Sequence, residues 1–389
     1  MFSKRTRWDL TVNHLSQLLA CKRRRGEIVL DLTESNPTRV GLSAAANLLT
    51  PLGAEAARLY EPAPLGLQVA RAAVAADLAA RGLDVAEERI VLTAGTSESY
   101  AFLFKLLCDP GEVVLVPRPS YPLFEFLARL ESVCVAPYPL VYDGQWRVDL
   151  WELRAVLDAH PRARAICLVH PNNPTGSFIK REEATTLLKL ATERDLAIVS
   201  DEVFTDYALG DDPDRFASFA SDTPALAFAL GGLSKSCGLP QMKLGWIVVS
   251  GPRDQRREAL ARLEVIADSY LSVSTPVQLA APSWLALRAE LARPIAERVS
   301  SNLAVLRESL RTIPQATLLD LEGGWYAVLQ VPATRSEEQM VVSLLDRDGV
   351  LVHPGFFFDF AREAYLVLSL LPPQEVFCAG VARLLRTLE

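Results

Sequence analysis

The chain has 389 residues, of which 50 % are apolar and 22 % are charged, and its formal net charge is −7. This length can bury a substantial core, either in two domains or in one large domain with a smaller attachment. The acidic balance argues against a nucleic-acid-binding protein and no apolar run is long enough to cross a bilayer, so we expect neither nucleic acid nor a membrane as a partner.

The N-terminal segment and the cysteines indicate a cytoplasmic protein. Charges are scattered through MFSKRTRWDLTVNHLSQLLACKRRRG, and this segment has no extended apolar stretch typical of a secretory leader. The six cysteines lie far apart without a CxxC pair, which indicates reduced, mostly buried thiols. None of the four histidines is spaced i, i+4 from another, so no metal site is expected.

Extended and helical patterns alternate through the middle of the chain. In chain order they predict a strand in 89–95, a helix in 97–108, strands in 112–122 and 164–176, a helix in 182–195, and strands in 196–204, 225–238 and 243–251. Strands separated by helices indicate a mostly parallel sheet that is covered on both faces.

The pattern changes after about residue 280. Long helices are followed by a hairpin-like segment, TLLDLEGGWYAVLQV, and by two further apolar stretches. We therefore expect a large domain at 46–285 and a smaller α+β domain at 286–389. Residues 1–45 are expected to form an N-terminal arm and to join the smaller domain.

Polar residues stand where the predicted strands end, and ligands of open α/β sheets collect at that edge. These residues are Gly95-Thr96-Ser97, Ser120-Tyr121, Asn172-Asn173-Pro174-Thr175-Gly176, Asp201-Glu202 and Ser234-Lys235-Ser236. A glycine-hydroxyl turn before a helix can bind a phosphate, and an aromatic ring can stack on a heterocycle. A carboxylate can hold a pyridinium proton, and a lysine can form a Schiff base with an aldehyde. Pyridoxal phosphate is the cofactor that needs all four groups.

Each feature also has an ordinary structural interpretation. The segment GTSES could be a simple helix N-cap and NNPTG a simple turn, while Asp201 could be a satisfied buried acid and Tyr121 a core residue. Lys235 is different, because a hydrated cation fits poorly among the glycines and apolar residues of GGLSKSCGLPQMKLGW. The occurrence of all these features in order at strand ends favours the cofactor.

Three segments, PNNPTG, SDEVF and SKSCGLPQMKLGW, resemble signature blocks of the class I/II aminotransferases, the aspartate-aminotransferase-like group of fold type I pyridoxal-phosphate enzymes. The resemblance extends from ESNPTRVGL to YLVLSLLPP. It implies an α/β fold with a mostly parallel seven-stranded sheet between helices, plus a smaller α+β domain. It also implies pyridoxal phosphate as cofactor, amino-acid and 2-oxo-acid substrates, and a homodimer with a shared active site.

The resemblance further implies roles for individual residues. Lys235 would bind the cofactor covalently and move the substrate proton, and Asp201 would pair with the pyridine nitrogen. Asn173 would hydrogen-bond a ring oxygen, and Tyr121 would stack on the ring. The residues implied around the cofactor phosphate are Gly95, Thr96 and Ser97 in the glycine turn, Lys243, and Tyr60 of a neighbouring subunit. Ser234 is a further residue expected to bind the cofactor.

The sequence departs from the family pattern at three positions. Lys243 stands where the family usually has a phosphate-binding arginine, and a point charge replaces a bidentate fork. Phe204 replaces a tyrosine that donates to the ring oxygen, so we expect the cofactor Schiff base to hold its proton more tightly. Val367 takes the place of the arginine that binds the substrate carboxylate.

The substrate side of the site is therefore expected to be apolar. Arg39 is a candidate replacement for the missing arginine, and it could equally be a surface residue. The other candidate pocket residues are aromatic, with at least one ring of the Phe run expected in the core: Trp325, Tyr326, Phe356, Phe357 and Phe358.

These features favour a transaminase acting on an apolar or aromatic amino acid. The alternative is a pyridoxal-phosphate-dependent lyase or decarboxylase that binds the carboxylate in an atypical way. A non-catalytic regulator is disfavoured by the intact set Lys235, Asp201 and Asn173, and a nicotinamide dehydrogenase by the lack of GxGxxG after a strand.

Overall fold

The computed structural model of the chain describes residues 1–42, 46–271 and 273–388. The strands in chain order are β1 (Leu30–Asp31), β2 (Ile90–Thr93), β3 (Val113–Arg118), β4 (Cys134–Tyr142), β5 (Trp146–Val148), β6 (Ala163–Val169), β7 (Ala197–Asp201), β8 (Ala227–Gly232), β9 (Gly245–Ser250), β10 (Thr317–Leu318), β11 (Tyr326–Gln330), β12 (Val350–Leu351), β13 (His353–Pro354) and β14 (Tyr365–Ser369). The predicted boundary at residue 45 lies outside the described residues.

Helices connect most of these strands. The α-helices are α1 (His14–Arg24), α2 (Gln68–Ala80), α3 (Thr96–Leu107), α4 (Phe124–Leu130), α5 (Leu150–Ala159), α6 (Arg181–Glu193), α7 (Leu233–Ser236), α8 (Arg253–Tyr270), α9 (Thr275–Ala286), α10 (Arg288–Leu310), α11 (Glu337–Ser343) and α12 (Gln374–Arg386). Shorter 3₁₀ segments lie at Lys4–Thr6, Ala46–Gly53, Glu55–Arg58, Glu87–Arg89, Thr205–Tyr207, Pro240–Met242 and Gly355–Phe358, and a π-helical segment lies at Leu344–Asp348.

The main sheet has eight strands within the described residues, in the order β2-β9-β8-β7-β6-β3-β4-β5. Neighbours from β8 to β4 run parallel, β9 runs antiparallel to β2 and β8, and β5 runs antiparallel to β4. The expectation of seven strands is therefore one too few. The apolar pattern indicates neither β4 nor β5, and β5 is a three-residue edge strand that folds back on β4 after Asp143 and Gly144. Such a short strand carries too few residues for an alternating pattern to predict it.

Both faces of the main sheet are covered, as the alternation of strands and helices predicts. On β7, Ile198 packs in an apolar cluster with α2, α5, α6 and α9, and Val199 packs in a second cluster with α3, α4 and α8. Because successive side chains of a strand point to opposite faces, Asp201 points to the same face as Val199. The carboxylate that ends β7 therefore lies on the side of the sheet that carries α3.

A second, four-stranded sheet of order β10-β11-β14-β13 lies in the C-terminal part of the described chain. It packs with α10, α11 and α12 around a separate apolar cluster. The N-terminal segment joins this part, because β1 pairs parallel with β12 and Leu15 and Leu32 lie in the same cluster. In this sheet Val367 is paired with Val328 on one side and with His353 on the other.

Among the described helices, none is both long and apolar enough to cross a membrane. All six cysteines are free thiols, but only Cys167 and Cys237 are buried. The expectation of mostly buried thiols is therefore wrong, since Cys134 and Cys378 are exposed and the other two are half-buried. No group of three or more His, Cys, Asp or Glu side chains that could hold a metal ion was found in the described ranges.

Candidate active site

The carboxyl ends of the parallel strands bring several predicted residues to one edge of the main sheet. Asp201 is the last residue of β7, Lys235 lies in α7 directly after β8, and Asn173 lies in the turn after β6. Neighbouring strands β6, β7 and β8 are parallel, so these side chains share an edge although they lie far apart in sequence.

Lys235 lies against aromatic rings. Its Nζ atom is 4.7 Å from the centroid of the Trp325 ring and 5.4 Å from that of Phe204. Burial lowers the pKa of the Lys235 amine to about 8, and the negative charge of Asp201 acts in the opposite direction. The backbone of Lys235 is also fixed, because the Tyr207 hydroxyl donates a hydrogen bond of 2.6 Å to its carbonyl oxygen.

Asp201 is buried and accepts hydrogen bonds at both carboxylate oxygens. The Val203 backbone N–H donates to Oδ1 at 3.2 Å, and the Tyr100 hydroxyl donates to Oδ2 at 3.4 Å. Burial raises the pKa of Asp201 to about 6, whereas these two hydrogen bonds and the charge of Lys235 lower it. The acid and the amine thus influence each other across the site.

The turn after β6 is held by side-chain hydrogen bonds. Asn172 accepts a hydrogen bond of 2.9 Å from the Ser120 hydroxyl and donates one of 2.9 Å to Thr175 Oγ1. The next residue, Asn173, is 7 % exposed, and its Oδ1 atom has no hydrogen-bond partner among the described residues. Asn172 therefore stabilises the turn, and the Asn173 amide remains available to a ligand.

The glycine turn after β2 leads into α3. Gly95 is the N-cap of α3 with φ 122°, a backbone conformation that favours glycine, and Thr96 is the first helical residue. Ser97 is exposed at the start of this helix. Lys243 Nζ lies 3.6 Å from the position that a Cβ atom on Gly95 would take, so a cation stands at this helix N-terminus.

Tyr121 and Ser234 lie on either side of this cluster. Tyr121 is 38 % exposed in the loop after β3, and Ser234 is half-buried beside Lys235. Partial burial and the nearby charge of Asp201 raise the pKa of Tyr121 to about 12, so its phenol stays protonated. Phe204 is 5 % exposed and packs edge-on against Trp325 at 5.3 Å between ring centroids.

Two further predicted residues lie at the surface. Tyr60 is 60 % exposed. Arg39 forms an ion pair with Glu34 at 3.2 Å, and its side chain is 68 % exposed. The segment that carries Arg39 nevertheless borders the lysine loop, since Pro37 lies 3.7 Å from the position of a Cβ atom on Gly238.

Val367 is fully buried in an apolar cluster with Trp146, Val328, Phe358 and Phe360. The three phenylalanines of the FFF run separate: Phe358 is buried there, Phe357 is half-buried, and Phe356 is 45 % exposed.

The loop that carries Trp325 is fastened to the main sheet by residues that the sequence did not indicate. The buried Lys180 amine forms ion pairs with Asp212 at 2.6 Å and with Glu322. Backbone hydrogen bonds add to this, from Leu209 N–H to the Glu322 carbonyl at 2.9 Å and from Gly324 N–H to the Tyr207 carbonyl at 3.0 Å. Trp325 is thereby held against Lys235.

Sequence reasoning also missed Tyr100 and Tyr207. Tyr100 lies four residues after Thr96, and side chains at this spacing share one helix face, so a signal for it was available. Tyr207 follows Asp201 in an irregular segment, and the Lys180–Glu322 pair spans 142 residues of sequence. No local pattern could have indicated these contacts.

Comparisons with known proteins agree with this architecture. The model of the family described as "Aminotransferase class I and II" matches residues 29–376. The chain is 28 % identical over 356 residues to a glutamate-pyruvate aminotransferase, AlaA, from Escherichia coli (strain K12), covering 89 % of this chain and 87 % of that protein. It is 27 % identical over 303 residues to an alanine aminotransferase from Mycobacterium bovis, covering 76 % and 70 % of the two chains.

A solved structure shows the same fold. The crystal structure of an aminotransferase from Escherichia coli superposes with a TM-score of 0.87 at 26 % sequence identity, covering 100 % of this chain and 98 % of that chain. The arrangement of a mostly parallel main sheet between helices with a smaller antiparallel sheet is therefore an aminotransferase architecture, as the sequence motifs predict.

Proposed function

The chain belongs to the class I and II aminotransferases and is a transaminase, and on this premise we propose that it uses pyridoxal phosphate to move an amino group from an apolar or aromatic amino acid to a 2-oxo acid. The observation that carries the proposal is the meeting of a half-buried lysine and a buried aspartate at one sheet edge. Lys235 has the lowered pKa that a general base needs near neutral pH, and Asp201 lies near enough for its charge to act on that amine.

The residues at this edge fit pyridoxal phosphate. The buried Asn173 amide has an oxygen without a partner within the described part of the chain, and its Nδ2 group is the donor that a ring oxygen would require. The Gly95 turn presents a helix N-terminus beside a lysine amine. Backbone N–H groups of Gly95, Thr96 and Ser97 would hold the phosphate together with Ser234 and Lys243.

When bound, pyridoxal phosphate supplies an aldehyde that takes up the amino group and a pyridine ring that withdraws electrons. Lys235 takes the proton from the substrate Cα, since its pKa of about 8 leaves part of the amine neutral at neutral pH. Asp201 would hold a proton on the pyridine nitrogen, Asn173 would donate a hydrogen bond from Nδ2 to the ring oxygen, and Tyr121 would cover the ring face. Phe204 and Trp325 keep water away from the Lys235 amine.

The substrate side chain would be apolar. Trp325 and Tyr326 border the site, and the place of the family's carboxylate-binding arginine is taken by the buried Val367. Two of the relatives are named for alanine or for glutamate and pyruvate, so alanine is the first donor to test, with aromatic amino acids next.

Arg39 is our candidate for the substrate carboxylate. Its segment borders the lysine loop through Pro37, and its partner Glu34 is partly exposed, so the ion pair can exchange for a substrate carboxylate. The exchange requires Arg39 to leave Glu34.

A second copy of the chain would complete the site. Tyr60, Leu59 and Leu49 are each about 60 % exposed or more and lie close together in sequence, which suits a surface covered by a partner. Tyr60 would then reach the phosphate of the other subunit.

We further propose that the protein acts in the cytoplasm. We also propose that the chain divides into domains as the sequence predicts, at residues 1–45, 46–285 and 286–389.

The experiment is a single-turnover assay of the cofactor-loaded protein with alanine, phenylalanine, aspartate and putrescine, each without an acceptor. A transaminase releases one 2-oxo acid per subunit from an amino acid, or one aldehyde from putrescine, and no ammonia or carbon dioxide. The Arg39→Gln substitution should raise the alanine concentration needed for half-maximal conversion. It should have little effect on the corresponding putrescine concentration, because putrescine has no carboxylate. Release of ammonia or carbon dioxide would support a lyase or decarboxylase activity. Equal effects of Arg39→Gln on alanine and putrescine would remove Arg39 from the site.

A further inference from the structure

The Asp201 carboxylate has a side-chain partner that none of the sequence motifs includes. Tyr100 is 2 % exposed in α3, and its hydroxyl lies 3.4 Å from Asp201 Oδ2. The Tyr100 ring packs edge-on against Phe124 at 5.3 Å and beside Phe104 at 5.8 Å between ring centroids. These rings restrict the phenol, so the hydroxyl remains directed at the carboxylate.

The other groups near Asp201 have different roles. The Val203 backbone N–H holds Oδ1, while Lys235 and Tyr121 approach from other elements, and Cys167 of β6 lies near Tyr100. Burial and the charge of Asp201 raise the pKa of Tyr100 well above its usual value. Tyr100 therefore remains a neutral hydrogen-bond donor at and around neutral pH.

Helix α3 links this contact to the glycine turn. Its first residues form the proposed phosphate site at Gly95 and Thr96, and Tyr100 follows just over one turn later. The same rigid helix thus reaches both the phosphate end and the pyridine end of the proposed cofactor position.

We propose that Tyr100 is a positioning residue, which orients the Asp201 carboxyl toward the pyridine nitrogen and keeps that carboxyl ionised. The inference rests on the proposed function. The contact of 3.4 Å is longer than most O–H···O hydrogen bonds, so its effect should be moderate.

The test compares Tyr100→Phe with Tyr138→Phe in the full chain. Tyr138 is a matched control because it is also buried and donates to a backbone carbonyl, that of Cys167, at 2.8 Å. Tyr100→Phe should weaken pyridoxal phosphate binding about fivefold, measured by fluorescence quenching, and should raise the Asp201 pKa by roughly half a unit or more in a ¹³C carboxyl titration of the cofactor-free chain. Tyr138→Phe should change the melting temperature alone.

A double-mutant cycle isolates the contact, since Tyr100→Phe should have no further effect on binding in an Asp201→Asn background. If Tyr100→Phe does not fold, 3-fluorotyrosine at position 100, a stronger donor, should shift the Asp201 titration downward. Equal binding and equal Asp201 titration in Tyr100→Phe and the wild type would overturn the inference alone. A wild-type chain that does not bind pyridoxal phosphate would overturn the proposed function and this inference with it.

Discussion

The candidate site draws on two regions that differ in chemistry. The sheet side consists of Gly95, Asn173, Asp201 and Lys235 at strand ends of the main sheet, and each offers a polar or cationic group to a ligand. The C-terminal side consists of Trp325, Tyr326, Phe358 and Val367, and it is aromatic and apolar. Under the proposed function, the sheet side would determine the reaction and the C-terminal side would determine which substrate fits.

The largest effect on activity is expected for substitution of Lys235 on the sheet side. Lys235→Ala should lower turnover by at least about 10³-fold, because the variant loses the proposed base for the substrate proton. Formation of 2-oxo acid measures this, and Lys189→Ala, at an exposed lysine of α6, is the control. A Lys235→Ala variant with more than about a tenth of wild-type activity would show that the reaction uses another base.

A charged side chain introduced on the C-terminal side should lower the stability of the fold. Val367→Arg should lower the free energy of unfolding by about 3 to 5 kcal/mol, because it buries an unpaired cation in an apolar cluster. Urea denaturation measures this, with Val367→Ile as the control. A stable Val367→Arg variant with a lower KM for acidic donors would instead show that position 367 faces the substrate, and the distinction between the two sides would fail there.

The sheet side should be sensitive to acid through His170, which precedes the Asn172 turn. His170 is fully buried, its Nδ1 accepts from the Ile179 N–H at 2.9 Å, and burial lowers its pKa to about 4. The unfolded chain binds a proton below about pH 6.5 whereas the folded chain does not until about pH 4, so stability falls across this window by about 3 kcal/mol.

Urea denaturation at pH 7 and pH 4.5 checks this. The loss of stability between the two pH values should be smaller in His170→Gln than in the wild type. His14→Gln, at an exposed histidine, should behave as the wild type. Equal losses of stability in all three proteins would mean that folding does not lower the pKa of His170, so that the folded chain already binds this proton at pH 4.5.

Phe204 lies where the two sides meet, beside both Trp325 and the Lys235 amine. Phe204→Tyr adds a hydroxyl donor on the sheet side, which should stabilise the deprotonated state of the bound cofactor. We expect the pKa of the pH-dependent absorbance change of the loaded enzyme to fall by about one unit. An unchanged spectral titration would mean that the missing hydroxyl has no influence on the cofactor.

The smallest effect is expected for substitution of Lys243, which lies beside Gly95 on the sheet side. Lys243→Arg should strengthen pyridoxal phosphate binding by about two- to fivefold, since a guanidinium can bind two phosphate oxygens at once. Equilibrium fluorescence titration measures the affinity, and Lys243→Ala should weaken binding. Tighter binding by the alanine variant would place Lys243 outside the phosphate site.

The sheet side was largely predictable from sequence, because strand ends are local features. Lys235, Asp201 and Asn173 each follow an apolar strand, and parallel neighbours bring such residues to one edge. Tyr207 and the Lys180–Glu322 pair were not predictable, since their contacts depend on how distant segments pack. On the C-terminal side, the pattern indicated aromatic residues but could not separate the buried Phe358 from the exposed Phe356.

The antiparallel placement of β9 has a consequence for the length of one loop. Because β9 runs opposite to β8, the residues before β9 lie at the same sheet edge as the residues after β8. Residues 233–244 join the two strands, and they carry Lys235 near one end and Lys243 near the other. An insertion in this connection would move the Lys235 amine relative to the cation beside Gly95. At positions other than the two lysines, the loop should therefore tolerate changes of sequence better than changes of length.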